Sequence, residues 1–146
     1  MLSSQRLRSL LVLILLFAAA GCDNGAKSPT APDQSNVAYS QTDLTVGTGA
    51  EATPGTTAAV QYGGWFYSEA AADHKGQQFQ ANQFSYLVGS TQVIKGFDMA
   101  VTGMKVGGVR RAIMPPSLAF GATGSTDGTI PPNAALVFDI LLVSVQ

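Results

Sequence analysis

The chain is poor in the residues from which most catalytic and metal sites are built. Its 146 residues include one cysteine, Cys22, and one histidine, His74. One cysteine excludes an intrachain disulfide, and one histidine in the polar stretch Asp73-His74-Lys75 is too little for a zinc site. No Gly-x-Ser-x-Gly elbow supplies a serine nucleophile. We therefore expect no bound metal and no Ser-His-Asp triad, and we expect His74 to be a solvated loop residue.

Charged residues are scarce as well, at 12% of the chain, and the formal net charge is −1. Arg6 and Arg8 precede all nine acidic residues, so the chain without its first segment carries six Lys and Arg and a net charge of −3. A weakly negative protein has no electrostatic reason to bind nucleic acid. The glycine-containing stretches 47–49 and 121–124 do not run into a helix with a Lys-Ser/Thr pair, which excludes phosphate loops.

The one long apolar run covers residues 10–20. It is too short to span a hydrocarbon core of about 30 Å, which needs roughly 20 helical residues. The two arginines before it and the small residues after it are typical of a secretory signal. Ala19-Ala20-Gly21-Cys22 resembles the lipobox of bacterial lipoproteins, although Ala19 stands where leucine is more frequent. We predict a signal peptide over residues 1–21 and lipidation of Cys22.

A lipidated Cys22 would fix the protein to the cell envelope, because several acyl chains at about 0.8 kcal/mol per buried CH₂ give an effectively permanent anchor. We expect the protein to face the periplasm or the cell exterior. Asp23 favours the inner membrane if the enterobacterial sorting rule applies. Residues 22–38 are small and polar with two prolines, which predicts a flexible linker. The folded domain is then residues 39–146.

The domain alternates short apolar stretches with turn-forming residues. Strands are predicted over residues 43–46, 58–67, 84–88, 109–114 and 136–145, and a loop over 68–76. The last stretch is apolar enough for a strand that is buried on both faces. One helix is predicted over residues 93–104, where Ile94, Phe97, Val101 and Met104 share a face. This pattern predicts an α+β fold, an antiparallel sheet of about five strands wrapped around one short helix.

Aromatic and aliphatic side chains stand beside several of the predicted turns. They are Tyr62, Phe79, Phe84, Tyr86, Val93, Ile94, Phe97, Phe120, Ile130 and Phe138. Spacing alone favours a hydrophobic core, because stripes of this kind are usually buried. The alternative is an apolar pocket floored by the helix face at Phe97, with Tyr62 and Phe138 on the strands opposite.

Five segments, in order along the chain, resemble the motifs of one known family. They are Tyr62-Gly63-Gly64-Trp65, Val93-Ile94-Lys95-Gly96-Phe97, Gly103-Met104-Lys105-Val106-Gly107-Gly108, Pro115-Pro116-Ser117-Leu118-Ala119-Phe120-Gly121 and Ile130-Pro131-Pro132-Asn133-Ala134-Ala135-Leu136-Val137-Phe138-Asp139, with Phe79-Gln80 in place of the family's Phe-Asp. The family is the FKBP-type peptidyl-prolyl cis-trans isomerases. The resemblance covers nearly all of residues 39–146.

The resemblance implies an enzyme that isomerises the bond before proline without a metal or a cofactor. Its partners would be proline-containing segments of unfolded or exported proteins, and we expect a monomer. The implied roles are a floor at Phe97, a hydrogen bond from the Ile94 N–H to a substrate carbonyl, and a rim closed by Ile130. Walls are implied at Tyr62, Phe84, Val93 and Phe138, a further contact at Phe120, and rim positions at Phe79, Gln80 and Tyr86.

Two replacements depart from the family pattern. Gln80 stands where an aspartate accepts a hydrogen bond from the pocket tyrosine, and the short segment 80–83 has no counterpart of that aspartate's arginine partner. Phe120 stands where a tyrosine donates to a substrate carbonyl. Losing one neutral hydrogen bond costs about 0.5–1.5 kcal/mol, up to roughly tenfold in rate. We expect reduced but measurable activity, and weaker binding of macrolide immunosuppressants.

Three functions are compatible with these residues. The first is an active isomerase that assists the folding of exported proteins, because X-Pro isomerisation is slow enough to limit folding. The second is a catalytically weak or inactive chaperone that holds extended, proline-containing chains in the same pocket. The third is a structural envelope lipoprotein without a ligand. The loop around residues 69–76 is expected beside the pocket, where it would tune the choice of client.

Overall fold

The computed structural model describes residues 33–146, so the predicted signal peptide, Cys22 and the first part of the linker lie outside the described residues. The elements, in chain order, are strands β1 (Ser40–Thr45), β2 (Thr57–Tyr67) and β3 (Lys75–Leu87), helix α1 (Lys95–Val101), strand β4 (Val109–Met114), a single 3-10 turn (Pro116–Leu118) and strand β5 (Leu136–Val145). The predicted fold class is confirmed.

All strand pairs in the sheet are antiparallel, and the strand order is β1-β4-β5-β2-β3. The most apolar strand, β5, is central and pairs with both β4 and β2. The polar strands β1 and β3 form the two edges. This order puts the apolar sequence where two neighbours satisfy its backbone, and leaves polar sequence at the exposed edges.

Helix α1 packs on one face of the sheet and buries Phe97, Ala100 and Val101. Gly96 permits a close approach, because a Cβ there would lie 2.8 Å from Met114 Sδ and 3.0 Å from the Leu118 carbonyl oxygen. The helix is shorter than predicted. Ile94 is still extended (φ −60°, ψ 146°), so α1 contains Phe97 and Val101 of the predicted apolar face, whereas Ile94 precedes the helix and Met104 follows it.

The strand boundaries differ in how well the sequence predicts them. Strands β4 and β5 have the predicted bounds, and β2 begins one residue earlier than predicted. Strand β1 begins at Ser40, three residues before its predicted start. Strand β3 begins at Lys75 rather than at Phe84, so the predicted loop over 68–76 is too long. The added part of β3 is an exposed, polar edge and therefore lacks the apolar alternation of a half-buried strand.

The outer face of the sheet carries a cluster of charges, so β5 is fully buried on both faces only over residues 136–138. Arg111 Nε and Nη2 donate to Asp139 Oδ1 and Oδ2 at 2.7 and 2.8 Å. Lys75 also pairs with Asp139 and lies 4.0 Å from the ring centroid of Trp65. Arg110 instead donates to Asp43 and to the Ala100 carbonyl, so these two neighbouring arginines point to opposite faces of the sheet.

Two residues beyond the sheet are less exposed than predicted. The His74 ring stacks on Tyr67 with 5.1 Å between centroids, and its Nδ1 is buried, so His74 is not a fully solvated loop residue. Gln34 lies in the predicted linker, but its side chain donates to the Tyr67 carbonyl at 3.2 Å and accepts from the Ala135 N–H at 2.8 Å. Residues 33–38 therefore include a point of attachment to the domain. Among the described residues, no helix has the length and apolar character needed to cross a membrane.

Candidate functional site

A cavity of about 650 Å³ opens between α1, the inner face of the sheet and the segment that links β4 to β5. Ten of the eleven predicted pocket and rim residues line it: Tyr62, Phe79, Gln80, Phe84, Val93, Ile94, Phe97, Phe120, Ile130 and Phe138. They come from five separate parts of the chain. The fold thus brings together side chains that spacing alone assigned to a hydrophobic core.

The floor of the cavity is a cluster of rings around Tyr62. Its ring centroid lies 5.5 Å from that of Phe97, 5.7 Å from that of Phe84 and 5.8 Å from that of Phe138. Phe97 also meets Phe138 at 90° with 5.5 Å between centroids. Edge-to-face contacts at these separations stabilise a pair of rings beyond the effect of burying their surface area. The pocket is therefore apolar and shaped by side chains that brace one another.

Small residues on the neighbouring strands make room for Phe138. In the central strand it pairs with Gly64 of β2 on one side and with Ala112 of β4 on the other. A Cβ on Gly64 would lie 2.7 Å from Phe79 Cζ and 3.0 Å from Phe138 Cε1. The glycine that weakens β2 as a strand is thus the residue that lets two pocket rings lie against its backbone.

Tyr62 stands in the cavity as an apolar ring with a free polar end. Burial is the one cause that raises the pKa of its hydroxyl, and no charged or hydrogen-bonding neighbour within residues 33–146 contributes. Gln80 lines the same cavity without taking over the acceptor role of the family's aspartate. The Tyr62 hydroxyl is therefore available to a ligand.

The segment before α1 offers one backbone donor to the cavity. The Ile94 carbonyl accepts from the N–H groups of Phe97 and Asp98 at 3.0 and 3.2 Å, which starts the helix. The Ile94 N–H makes no backbone hydrogen bond to any of the residues described. Because Ile94 lines the cavity, its N–H can donate to a carbonyl of a bound chain, which is the role that the resemblance implies.

A short loop over residues 124–130 covers one side of the cavity. Ile130 is 4% exposed, its N–H donates to Ser125 Oγ at 2.8 Å, and its carbonyl accepts from the Ser125 N–H at 2.9 Å. Asp127 ties the loop together through Ser125 and Thr129. These hydrogen bonds fix Ile130 over the pocket.

Sequence reasoning missed six residues that line the cavity: Gln92, Gly124, Ser125, Thr126, Asp127 and Thr129. Five of them belong to the loop over residues 124–130. The sequence does contain a signal for this loop. Asp127 follows Ser125 and precedes Gly128 and Thr129, and such a cluster favours a turn closed by hydrogen bonds from side chains to the backbone. That signal predicts the turn but not which cavity it would cover.

Tyr86 does not lie on the pocket rim, in contrast to the prediction. It is 4% exposed and lies beneath the cavity, with its ring centroid 5.7 Å from Phe84 and 6.3 Å from Phe97. Its hydroxyl is buried without a hydrogen-bond partner among the described residues, although Asp98 is near. Burial raises the pKa of this hydroxyl most, and the charge and hydrogen-bonding influence of the Asp98 carboxylate raise it further, although the two groups do not have the geometry of a hydrogen bond. Tyr86 supports the floor from below.

The loop between β2 and β3 is also not beside the pocket. Glu69, Ala70 and His74 line a separate cavity of about 740 Å³, whose other side is formed by the residues around Gln34 and Val37. The proposal that this loop tunes the choice of client is therefore not supported by its position.

The chemistry available in the pocket is restricted. Residues 33–146 contain no group of three His, Cys, Asp or Glu side chains placed to hold a metal ion. The lining offers rings, the Ile94 N–H, hydroxyls, amides and the carboxylate of Asp127. Such a site can bind an apolar segment with its carbonyls oriented, which suits a change of conformation better than a bond cleavage.

Comparison with known proteins agrees with this description. The family model for FKBP-type peptidyl-prolyl cis-trans isomerase matches residues 49–143. The chain is 40% identical over 108 residues to FK506-binding protein 4 of Gibberella zeae, which covers 71% of this chain but only 20% of that relative. It is 34% identical over 135 residues to FK506-binding protein 2 of Dictyostelium discoideum, which covers 92% of this chain and 96% of that relative.

A solved structure supports the fold. The crystal structure of FkpA from Escherichia coli superimposes with a TM-score of 0.62 and 28% identity, over 77% of this chain and 50% of that chain. The chain spans about a quarter or less of the first curated relatives that it matches. The Dictyostelium protein, in contrast, matches over almost its whole length. The chain therefore belongs to the FKBP-type peptidyl-prolyl cis-trans isomerase family.

Proposed function

We propose that this protein is an active peptidyl-prolyl isomerase that assists the folding of exported proteins from a lipid anchor at Cys22. One observation carries the catalytic part: a cavity of about 650 Å³ combines a braced aromatic floor with an unused N–H at Ile94. The proposed substrates are proline-containing segments of unfolded chains. The enzyme acts as a monomer and without a cofactor.

The reaction has a large barrier and needs no proton donor or nucleophile. Rotation about the peptide bond requires about 18–20 kcal/mol without a catalyst. Resonance makes the planar amide more polar than the twisted one, so a dry aromatic pocket disfavours the planar form more than the twisted form. Tyr62, Phe97 and Phe138 supply that surface, and the Ile94 N–H holds the substrate carbonyl in place.

Two replacements reduce the polar contacts of the site but leave its apolar surface. Gln80 offers no carboxylate to Tyr62, and Phe120 has no hydroxyl for a substrate carbonyl. Each missing neutral hydrogen bond corresponds to about 0.5–1.5 kcal/mol. We therefore expect catalysis below that of a site with both groups, and weaker binding of macrolides that use them.

Support for the anchor and its location comes from the sequence alone. The basic start, the apolar run over 10–20 and Ala19-Ala20-Gly21-Cys22 together are typical of lipoprotein signals. The lipid would hold the domain at the periplasmic or outer side of the envelope, and Asp23 would favour the inner membrane.

Metabolic labelling with palmitate should mark the full chain and not a Cys22→Ser variant, and the same variant should leave the membrane fraction.

Refolding of a protein that is limited by an X-Pro bond tests the activity on a realistic substrate. Residues 23–146 should accelerate the slow phase in proportion to enzyme concentration. Phe97→Ala should lose most of this effect, whereas Glu69→Gln, which lies outside the pocket, should keep it. A slow phase that is unchanged by the folded wild-type domain would contradict the proposal.

A second function is favoured by the same two replacements. If Gln80 and Phe120 abolish catalysis, the intact aromatic floor can still hold extended, proline-containing chains as a chaperone. This version requires suppression of aggregation without acceleration of the slow refolding phase. Measuring both effects on one substrate protein separates the two functions.

A further inference from the structure

The loop over residues 124–130 places a single acidic residue, the exposed Asp127, in the lining of the pocket. Asp127 is the one acidic or basic side chain among the described residues that line the cavity. The other polar side chains there are neutral: Tyr62, Gln80, Gln92, Ser125, Thr126 and Thr129. The isomerisation itself uses no charge, so the proposed function leaves this group without a role toward the substrate.

The carboxylate is held in a fixed position. Asp127 Oδ1 accepts from the Thr129 N–H at 3.0 Å and from the Ser125 hydroxyl, and Oδ2 accepts from the Thr129 hydroxyl at 2.9 Å. A carboxylate has about four acceptor positions, so these three bonds leave capacity for another donor. Because the group is already ordered, a partner that binds it loses less conformational entropy than it would with a free side chain.

No cation of the described residues offsets this charge. The ion pairs within residues 33–146 use Asp43, Asp73 and Asp139, and none uses Asp127. Lys95 follows Ile94 in sequence, but it is exposed and does not line the cavity. Asp127 is exposed, so solvent screens its attraction for a cation bound at the cavity, which then has the strength of an exposed charge pair.

We propose that Asp127 makes the pocket selective for proline segments with a lysine or arginine beside the proline. This inference rests on the proposed isomerase function and names its substrate class. The ammonium or guanidinium group would lie at the loop while the proline ring occupies the aromatic floor. An acidic residue at the same place would be disfavoured by like-charge repulsion.

The first test uses the wild-type protein and short peptides that differ only in the residue before or after proline, which is Lys, Ala or Glu. Exchange NMR of the cis and trans signals gives kcat/KM for each peptide. An exposed charge pair changes an affinity by about two- to fivefold. At low salt we therefore expect kcat/KM to be higher for the Lys peptide than for the Ala peptide, and higher for the Ala peptide than for the Glu peptide, by about that factor each time. At about 1 M salt, where the screening length is roughly 3 Å, both ratios should approach one.

The second test compares variants by the ratio of Lys to Ala peptides, which cancels any uniform change in activity. Asp127→Asn keeps the Oδ1 acceptor for Ser125 and Thr129 but removes the charge, so the ratio should fall to about one. Asp127→Lys should reverse the order. Glu69→Gln removes an acid that lies outside the pocket and should keep the wild-type ratio.

The outcomes separate this inference from the proposed function. Equal kcat/KM for the Lys, Ala and Glu peptides would overturn the selectivity and leave the isomerase intact. A preference that persists in Asp127→Asn would also overturn it. If no peptide is turned over, the proposed function fails, and binding of the same peptides, followed by NMR shifts, then decides: the selectivity stands only if Lys peptides bind tighter than Glu peptides.

Discussion

The ring of Phe97 meets the ring of Phe138 at a right angle, with 5.5 Å between their centroids. One ring comes from the helix and the other from the central strand, so this contact joins the two layers of the domain at the floor of the pocket. Phe97 is 3% exposed and Phe138 is 4% exposed. Residues that form the binding surface are therefore also part of the core, and pocket mutations need a separate measurement of stability.

Restoring a hydroxyl at position 120 should raise activity. Phe120 lines the pocket, and Phe120→Tyr would supply a donor for a substrate carbonyl. One neutral hydrogen bond corresponds to about 0.5–1.5 kcal/mol, so kcat/KM on a proline peptide should increase up to roughly tenfold. Phe66→Tyr is the control, because Phe66 packs against Phe79 outside the cavity lining. An equal response in the two variants would show that the hydroxyl does not reach the substrate.

Removing the buried hydroxyl of Tyr86 should not weaken the fold. It has no hydrogen-bond partner among the residues described, and burying an unpaired hydroxyl costs about 1–3 kcal/mol. Tyr86→Phe should therefore leave the free energy of unfolding in urea unchanged or raise it by up to that amount. Tyr39→Phe is the matched change, at a half-buried tyrosine whose hydroxyl donates to Gln41 Oε1 at 2.8 Å. A loss above about 1 kcal/mol in Tyr86→Phe would instead indicate a hydrogen bond to Asp98.

Acid should weaken the outer face of the sheet through Asp139. Burial raises the pKa of this carboxyl, but hydrogen bonds from Arg111 and Lys75 outweigh burial and hold the pKa below its usual value. A lowered folded-state pKa means that the stabilisation is present above about pH 4, the unfolded value, and is lost as the pH falls through the folded value.

Asp139→Asn tests this dependence. Removing one partner from a largely buried group of charges costs roughly 1–3 kcal/mol at pH 7. The difference in unfolding free energy between wild type and variant should shrink as the pH falls from about 4 to about 2. A difference that stays constant over this range would show that the carboxylate charge does not contribute.

The sequence predicts the bounds of the buried strands better than those of the exposed strands. Strands β4 and β5 have the predicted bounds because the sequence breaks clearly beside them, as at Gly107-Gly108 before Val109 and at Pro115 after Met114. The first half of β3 was missed because its residues, among them Gln77, Gln78 and Gln80, are polar and exposed at an edge. A strand that buries few side chains has no apolar alternation in its sequence, so it cannot be predicted from that alternation.

The pocket was predictable where the motifs of the family fix side chains, and not elsewhere. Phe84 and Tyr86 are two residues apart on β3 and so lie on the same face, but only Phe84 reaches the cavity. Tyr86 lies against Phe97 of α1 and close to Asp98, and sequence spacing does not contain the position of the helix over the sheet. Asp127 was missed for a similar reason, because its place in the pocket depends on how its loop folds back.

The most direct test of the account is cis-trans exchange of an X-Pro peptide, followed by NMR, with two matched variants. Phe84→Ala removes a ring that lines the pocket, and Tyr67→Ala removes a ring of similar exposure that lines the other cavity. Both variants are first checked for folding by urea denaturation. We predict that wild type and Tyr67→Ala accelerate the exchange and that Phe84→Ala has at least tenfold lower kcat/KM. Equal activity in Phe84→Ala and Tyr67→Ala, or none in the folded wild type, would contradict catalysis by this aromatic pocket.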